Sequence, residues 1–197
     1  MQSYVNYCNG ITECTLEEVW ILQHADVLSM GIAADPEHLL NPKNIPVVQS
    51  DRGGQVTWHG PGQMVVYPLL NLHNRNWHAR TLVSNTEQLI IRWLSSYGLT
   101  TFANPQAPGV YFNSSKIASL GFKIRKNYCY HGFAININCS MAGFNCINPC
   151  GYTDLTMTTL ANALITINPT STTETLKLND DQVVDSLSNH IQLFYRQ

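Results

Sequence analysis

The clearest periodic pattern in the chain is helical and runs over residues 80–97. Apolar side chains recur there every three or four positions, so they share one face of a helix. Those side chains are Leu82, Leu89, Ile90, Trp93, Leu94 and Tyr97. Gly98 follows directly, where a glycine commonly ends a helix. A second helical pattern covers residues 182–195. We predict two helices that turn their apolar faces to the core.

Short runs rich in β-branched and aromatic residues predict strands in the rest of the chain. These runs cover residues 19–22, 44–50, 64–72, 109–115, 116–125 and 130–138. The last two are separated by few enough residues for a hairpin turn. Residues 155–167 fit neither period clearly. Sequential strands with a few helices predict an α+β protein, and because no linker divides it we expect one domain over residues 1–197.

A glycine-rich stretch interrupts the pattern of strands. It reads Arg52-Gly-Gly-Gln-Val-Thr-Trp-His-Gly-Pro-Gly-Gln63, with four glycines and one proline in twelve residues. That composition excludes a helix and predicts a tightly turned, exposed backbone. Glycines let a ligand approach main-chain N–H groups, and Arg52 and His59 add directed donors. The stretch suits one wall of a ligand pocket, although a solvated loop fits its composition equally well.

Composition and charge narrow the classes of function. Charged residues make up 12% of the chain and the net charge is −2, so no chain-wide basic field favours nucleic acid. No apolar run reaches the roughly 18 residues of a membrane span, and the N-terminus lacks the pattern of a signal peptide. We expect a soluble cytoplasmic protein that binds neither nucleic acid nor membrane.

One of the six cysteines has neighbours that suggest chemistry. The six are Cys8, Cys14, Cys129, Cys139, Cys146 and Cys150. None forms a Cys-x-x-Cys pair or a zinc spacing, so we expect free thiols, most of them buried. Cys150 lies between Asn148-Pro149 and Gly151, a combination that presents a side chain from a rigid bend. Such a thiol suits a nucleophile, and a buried structural thiol is the alternative.

A cysteine nucleophile reacts as its thiolate, so a cation or base must lie near it. The candidates are His59, Lys116 and His131. Lys116 begins an apolar strand, where it is either a solvated edge charge or a partly buried partner of the thiol. A metal site built from His59, His131 and a cysteine has no supporting spacing. We expect neither a metal nor a cofactor.

Five segments together resemble the octanoyltransferases of lipoate biosynthesis. They are the glycine-rich stretch, Ala107-Pro-Gly-Val-Tyr111, Lys116-Ile-Ala-Ser-Leu-Gly121, His131-Gly-Phe-Ala134 and Ile147-Asn-Pro-Cys-Gly151. The segments follow the order and spacing of that family over roughly residues 16–160. The resemblance implies transfer of an octanoyl group from acyl carrier protein to a lysine of a lipoyl domain. The acceptors would be the lipoyl domains of 2-oxoacid dehydrogenases and the glycine cleavage H protein.

The resemblance also implies a fold and a set of roles. The fold is that of biotin and lipoate protein ligases, a mixed, largely antiparallel sheet flanked by helices. Cys150 would be the acyl-thioester nucleophile, Lys116 would promote its thiolate and carry protons, and His131 would support them. The acyl pocket would comprise Arg52, Gly53, Gly54, Gln55, Val56, Thr57, Trp58, His59, Ser119, Leu120, Gly121, Gly132, Phe133 and Ala134. Trp58 stands where the family more often has Tyr, and we expect it to keep an aromatic wall.

Three rival functions remain open at the level of sequence. An ATP-dependent ligase of the same fold would not need Cys150, a cysteine hydrolase would pair Cys150 with His131, and a non-catalytic acyl-binding protein would form no covalent adduct. Transfer from a thioester to an amine needs no nucleotide, and the chain contains no Gly-x-x-x-x-Gly-Lys-Ser/Thr loop.

A local basic cluster suggests where a donor protein could bind. Acyl carrier protein is acidic as a class, so the enzyme should present positive charge to it despite its net charge. Lys123, Arg125 and Lys126 form the densest such cluster. A solvated hairpin tip explains these residues equally well.

Overall fold

The structure, a computed structural model, describes residues 17–170 and 178–195. Over these two ranges it contains nine strands and three α-helices. The strands are β1 (Glu18–Leu22), β2 (Val27–Met30), β3 (Val47–Gln49), β4 (Val56–His59), β5 (Gln63–Asn71), β6 (Phe102–Ala103), β7 (Gly109–Phe112), β8 (Ser115–Arg125) and β9 (Tyr128–Asn136). The helices are α1 (Ala79–Ser95), α2 (Leu160–Ile167) and α3 (Asp180–Tyr195). Pro36–His38, Phe144–Cys146 and Pro149–Gly151 form short 3₁₀ turns.

The strands form two sheets. The larger has six strands in the order β1-β5-β9-β8-β7-β6, and every neighbouring pair is antiparallel. The smaller has the order β3-β2-β4, in which β2 runs parallel to β3 and antiparallel to β4. This architecture confirms the predicted α+β class and its largely antiparallel sheet.

The main core forms where α1 and α3 pack on the large sheet. Along β5 nearly every residue is buried, as expected of a central strand covered on both faces. The apolar face of α1 joins this core through Leu82, Leu89, Ile90, Trp93 and Leu94, and α3 adds Val183, Leu187, Ile191 and Tyr195. The predicted helices over 80–97 and 182–195 are therefore confirmed. Gly98 follows α1 with φ 79° and donates its N–H to Ser95 O at 2.9 Å.

Two segments differ from the sequence-based expectation. The glycine-rich stretch is not exposed throughout, because its middle forms β4 and buries Val56 and Trp58 in a second core against Leu28 and Phe144. Alternation of these two apolar residues with Thr57 was the strand signal, hidden by the flanking glycines. Residues 155–167, which fit neither period, contain α2, whose first turn is capped by Thr159 through a bond from Asn162 N at 3.0 Å.

The described cysteines are all free thiols, and Cys129, Cys139 and Cys146 are buried while Cys150 is partly exposed. Cys8 and Cys14 lie outside the described residues. In the ranges 17–170 and 178–195, no helix has the length and hydropathy that crossing a membrane requires.

Candidate active site

Cys150 occupies a strained position in a tight turn. It has φ 57° and ψ 14°, and Gly151 follows with φ 80°, so two successive residues are left-handed. A non-glycine residue in this conformation costs about 1–3 kcal/mol and persists only where its surroundings hold it. Two hydrogen bonds close the turn, from Gly151 N to Asn148 O at 3.0 Å and from Tyr152 N to Pro149 O at 3.1 Å. The thiol is thus presented from a rigid bend, as the Asn-Pro-Cys-Gly sequence predicted.

A second segment holds this turn from the side. Asn148 N donates to His38 O at 2.9 Å, and Leu39 pairs with Ile147 as an isolated antiparallel bridge. The Asn148 side chain also lies 3.4 Å from His38 Nδ1. Sequence reasoning did not identify His38, because its only signal is a lone polar residue in a polar loop. Its segment braces the backbone that carries Cys150.

Lys116 lies beside the thiol. Its side chain is only 2% exposed, which excludes the alternative of a solvated edge charge. Nζ donates to Cys150 Sγ at 3.4 Å and to Pro108 O at 3.0 Å, and lies 5.3 Å from the centre of the Tyr111 ring. The two proposed catalytic groups, 34 positions apart in sequence, therefore meet in space.

The space for the Lys116 side chain is provided by a glycine. Gly109 has φ 146°, and a Cβ there would lie 2.7 Å from Lys116 Cε and 2.7 Å from Ala118 O. The Gly109 N–H donates to Glu87 Oε1 at 2.8 Å. Sequence reasoning missed Glu87 because the α1 pattern indicated only a core-facing surface. The available signal was a charged residue among its apolar positions.

Arg52 lines the cavity, and its side-chain hydrogen bonds shape the glycine-rich stretch. Its buried guanidinium donates to Ser29 Oγ at 3.0 Å, to Gly53 O at 2.9 Å and to Gln55 O at 2.7 Å, and it also binds Ser29 O. Burial lowers the pKa of Arg52 to about 10, while negative charge at Cys150 acts in the opposite direction. Because these bonds go to neutral oxygens, its positive charge remains available to favour an anion near Cys150.

Glycines in this stretch allow two backbones to pack closely. Gly53 N donates to Phe122 O at 3.2 Å, and a Cβ on Gly53 would lie 2.8 Å from that oxygen. From the other side, a Cβ on Gly121 would lie 3.3 Å from Gly53 O. The stretch is therefore seated directly on β8 within the large sheet.

A cavity of about 860 Å³ opens between the two sheets. Its volume is in the range of roughly 300–1,000 Å³ that is typical of small-molecule sites. Cys150, Lys116, His131 and thirteen of the fourteen expected pocket residues line it, all except Trp58. Further apolar lining comes from residues that the motifs did not include, namely Val48, Val65, Leu82, Val83, Phe122 and Ile124.

Trp58 is placed differently from the expectation. Its ring is 2% exposed and packs edge-on against Phe144 at 5.2 Å, while its indole N–H donates to Asp26 Oδ1 at 3.0 Å. Successive residues of a strand point to opposite faces, so Thr57 and His59 face the cavity and Trp58 does not. Trp58 forms part of the second core and not an aromatic wall of the pocket.

His59 is held neutral at the cavity wall. Its Nδ1 lies 2.7 Å from Gln63 Oε1, and the Gln63 amide nitrogen donates to Asn136 Oδ1 at 2.9 Å. Since an amide oxygen only accepts, Nδ1 carries the proton and Nε2 keeps a lone pair. Burial lowers the pKa of His59 to about 4, and the charge of Arg52 acts in the same direction.

His131 binds a carboxylate and not the thiol. Its Nε2 lies 2.6 Å from Asp51 Oδ1, and Tyr130 OH donates to Asp51 Oδ2 at 2.5 Å. Burial alone would raise the pKa of Asp51, but the hydrogen bonds from His131 and Tyr130 outweigh it and leave that pKa lowered. His131 has φ 56°, an uncommon conformation for a strand residue. Within the described part of the chain, no group of three His, Cys, Asp or Glu side chains is arranged to hold a metal ion.

Comparison with known proteins finds both a matching family model and similar relatives. Residues 6–179 match the model for the lipoyl protein ligase A/B catalytic domain. An octanoyltransferase of Acinetobacter baylyi is 53% identical over 156 residues, covering 79% of this chain and 71% of the relative. An octanoyltransferase of Psychromonas ingrahamii is 42% identical over 196 residues, covering 100% and 90%.

Solved structures agree on the fold. A lipoate protein ligase of Thermoplasma acidophilum superposes with a TM-score of 0.66 at 12% identity, covering 98% of this chain and 77% of the ligase. At that identity the likeness concerns the fold alone.

Proposed function

Because the chain belongs to the lipoyl protein ligase A/B catalytic domain family, we propose that it is an octanoyltransferase acting through an acyl-thioester on Cys150. The relatives named octanoyltransferase support octanoyl transfer in protein lipoylation. One observation carries the mechanism: the Lys116 ammonium lies 3.4 Å from the Cys150 sulfur at the wall of a cavity that could hold an acyl chain. The donor is octanoyl-acyl carrier protein. The acceptors are lipoyl domains of 2-oxoacid dehydrogenases and the glycine cleavage H protein.

In the first half-reaction, the Cys150 thiolate attacks the octanoyl thioester carbonyl. A new carbon–sulfur bond forms to Cys150 and the bond to the carrier's sulfur breaks. The Lys116 ammonium stabilises the attacking thiolate by its charge and then gives a proton to the departing thiolate. The carrier leaves as a thiol, and Lys116 is left as a neutral amine. Exchange between two thioesters is nearly isoenergetic, so no nucleotide is required.

The second half-reaction restores the starting protonation state. The amine of a lipoyl-domain lysine attacks the acyl group on Cys150, forming an amide and releasing the Cys150 thiolate. Lys116, now a neutral amine, accepts the proton that the attacking lysine loses. Amide formation from a thioester is downhill and drives the cycle. The same side chain thus acts as acid in one step and as base in the next.

The apolar part of the cavity would hold the octanoyl chain. Leu82, Val83, Phe133 and other apolar residues line it. Burying about seven methylene or methyl groups at roughly 0.8 kcal/mol each contributes up to about 5–6 kcal/mol. That is enough to favour octanoyl over short acyl groups, although each single carbon changes affinity only modestly.

The contacts also bear on the rival functions. A hydrolase that pairs Cys150 with His131 fits poorly, because His131 is bound to Asp51 and the sulfur contacts Lys116. An ATP-dependent ligase gives no reason for a buried lysine to adjoin a strained cysteine. A non-catalytic acyl-binding protein gives no reason for this contact either.

A transfer assay without nucleotide tests the proposal. Octanoyl-acyl carrier protein, a lipoyl domain and the enzyme are mixed without ATP, and the lipoyl lysine is examined by peptide mass spectrometry. We expect octanoylated lysine, with no added octanoylation from free octanoate plus ATP. The proposal is overturned if modification requires free octanoate and ATP, or if octanoate is released at the same rate without an acceptor.

A further inference from the structure

A buried carboxylate on α1 has no part in the mechanism above. Glu87 is only 8% exposed and lies on the face of α1 that otherwise packs apolar side chains into the core. A buried carboxylate is costly unless it is paired or hydrogen-bonded. Its Oε1 accepts from Gly109 N at 2.8 Å. A group that costs stability at this position invites a functional explanation.

The hydrogen bond connects Glu87 to the reacting atoms through one short stretch of backbone. Gly109 follows Pro108, whose carbonyl accepts from Lys116 Nζ at 3.0 Å. The same Nζ lies 3.4 Å from Cys150 Sγ. Proline restricts the backbone on one side of this link, and the missing Cβ of Gly109 leaves room for the lysine side chain on the other. A shift of Gly109 would therefore move the carbonyl that orients the ammonium.

We infer that Glu87 is a positioning residue for Lys116. It fixes the backbone of residues 108–109 so that the Pro108 carbonyl directs the ammonium at the Cys150 sulfur. Its negative charge also attracts that ammonium. This role rests on the proposed function because it concerns the same two reacting groups, Lys116 and Cys150.

The charges around Lys116 define what a change at Glu87 would do. Lys116 is faced by Glu87 from α1, by Tyr111 from β7 and by Cys150 from the 3₁₀ turn. Arg52 acts on Cys150, and Tyr152 acts on Tyr111. Burial raises the pKa of Glu87, and the Gly109 N–H and the Lys116 charge lower it. Glu87 is the carboxylate in this set, so removing its charge makes the site more positive.

Two substitutions separate placement from charge. Glu87→Gln keeps an acceptor for the Gly109 N–H but removes the negative charge. Glu87→Leu removes both. Thr86→Val is the matched control, because Thr86 is fully buried one position earlier and its hydroxyl donates to Leu82 O at 2.8 Å within the same helix.

The first measurement does not use the octanoyl substrate. Alkylation of Cys150 by iodoacetamide is followed against pH by peptide mass spectrometry. With Glu87→Gln the acid limb of the profile moves to lower pH, because the site is more positive. With Glu87→Leu it moves to higher pH, because the ammonium is no longer held at the sulfur. Thr86→Val follows the wild type. Profiles of both Glu87 variants that overlay the wild type would overturn the inference, and if Glu87→Leu does not fold, Glu87→Gln alone decides.

The second measurement is the single-turnover rate of Cys150 octanoylation. Glu87→Leu should slow it by about tenfold to a hundredfold, the loss typical of a misplacement near 1 Å. Glu87→Gln should stay within about threefold at its own optimal pH, since its placement of the backbone is intact. A wild type that alkylates normally but never accepts an octanoyl group would reject the proposed function and leave the positioning of Lys116 standing on the alkylation result.

Discussion

His59 illustrates how neighbouring groups determine the chemistry of a single side chain. It resembles a possible base in sequence, yet its Nδ1 proton is committed to Gln63 and burial lowers its pKa to about 4. A base poised near neutral pH would suit proton transfer better than this one. His59 can accept a hydrogen bond through Nε2 at the cavity wall. His59 therefore fits a positioning group better than a base, and Lys116 remains the proton carrier that we propose.

The lowered pKa of His59 predicts a pH dependence of stability. Between its unfolded pKa near 6.5 and its folded pKa of about 4, the unfolded chain binds a proton that the folded chain does not. The contribution of neutral His59 to the free energy of unfolding is fully present above pH 6.5 and is lost as the pH falls toward 4. The free energy of unfolding should fall by up to about 1.4 kcal/mol for each pH unit of acidification in this window.

Denaturant unfolding across this pH window checks the sign. His59→Gln should show a shallower fall in unfolding free energy on acidification than the wild type. Part of the fall will remain, because burial also lowers the pKa of His24. The control His73→Gln alters an exposed histidine and should keep the wild-type slope. Equal slopes for His59→Gln and the wild type would contradict a buried neutral His59.

At the scale of single residues, the sequence predicted which residues belong to the site better than it predicted where their side chains point. Cys150 and Lys116 were identified from their motifs, but their contact depends on the fold. Trp58 was expected in the pocket and lies in the second core, because the register of β4 decides which face each residue takes. Glu87 went unrecognised since one carboxylate cannot reveal its partner backbone 22 residues away.

The β8–β9 hairpin is the element that we propose binds the donor. Its turn is Lys126–Asn127, with φ values of 49° and 65°, the pairing that a two-residue hairpin turn requires. Lys123 lines the cavity, and Arg125 and Lys126 are exposed. The basic cluster predicted from sequence is therefore continuous with the cavity wall and is placed where an acidic carrier could deliver its acyl group.

Charge reversal in this hairpin tests that surface. The double variant Arg125→Glu/Lys126→Glu should raise KM for octanoyl-acyl carrier protein severalfold at low salt, with little change in kcat. The difference from wild type should shrink as salt is added, because exposed charges are screened over about 10 Å at 0.1 M. Arg92→Glu is the control, since Arg92 is exposed on α1. An unchanged KM in the hairpin variant, or an equal change with Arg92→Glu, would remove the hairpin as the docking surface.

Elements with strong periodicity were predictable, and short or glycine-flanked ones were not. Both long helices agreed with their patterns to within a few residues. By contrast, β4 is four residues long, begins two residues after Gly54 and ends directly before Gly60, so its alternation was too brief to recognise. The α2 region mixed apolar and Thr residues, and its N-terminal cap became evident only with the hydrogen bond to Thr159.

At the scale of the whole molecule, the site exists because distant segments converge. The glycine-rich stretch lies on β8, Lys116 is the second residue of that same strand, and the Cys150 turn is braced by residues near His38. Strand β8 thus supports both the pocket wall and Lys116, the proposed proton carrier. No local pattern in a sequence specifies such long-range pairing, so only the resemblance to a family could anticipate it. The cavity lies where the two sheets meet.

The central claim is that Cys150 carries the octanoyl group, and intact-mass spectrometry tests it directly. After mixing with octanoyl-acyl carrier protein, the wild type should gain one octanoyl group that hydroxylamine removes at neutral pH, as expected of a thioester. Cys150→Ala should gain none, whereas Cys146→Ala, which alters a buried thiol four residues away, should behave as the wild type. An adduct that persists in Cys150→Ala, or a wild type that octanoylates lipoyl lysine without ever carrying the group on Cys150, would contradict the account.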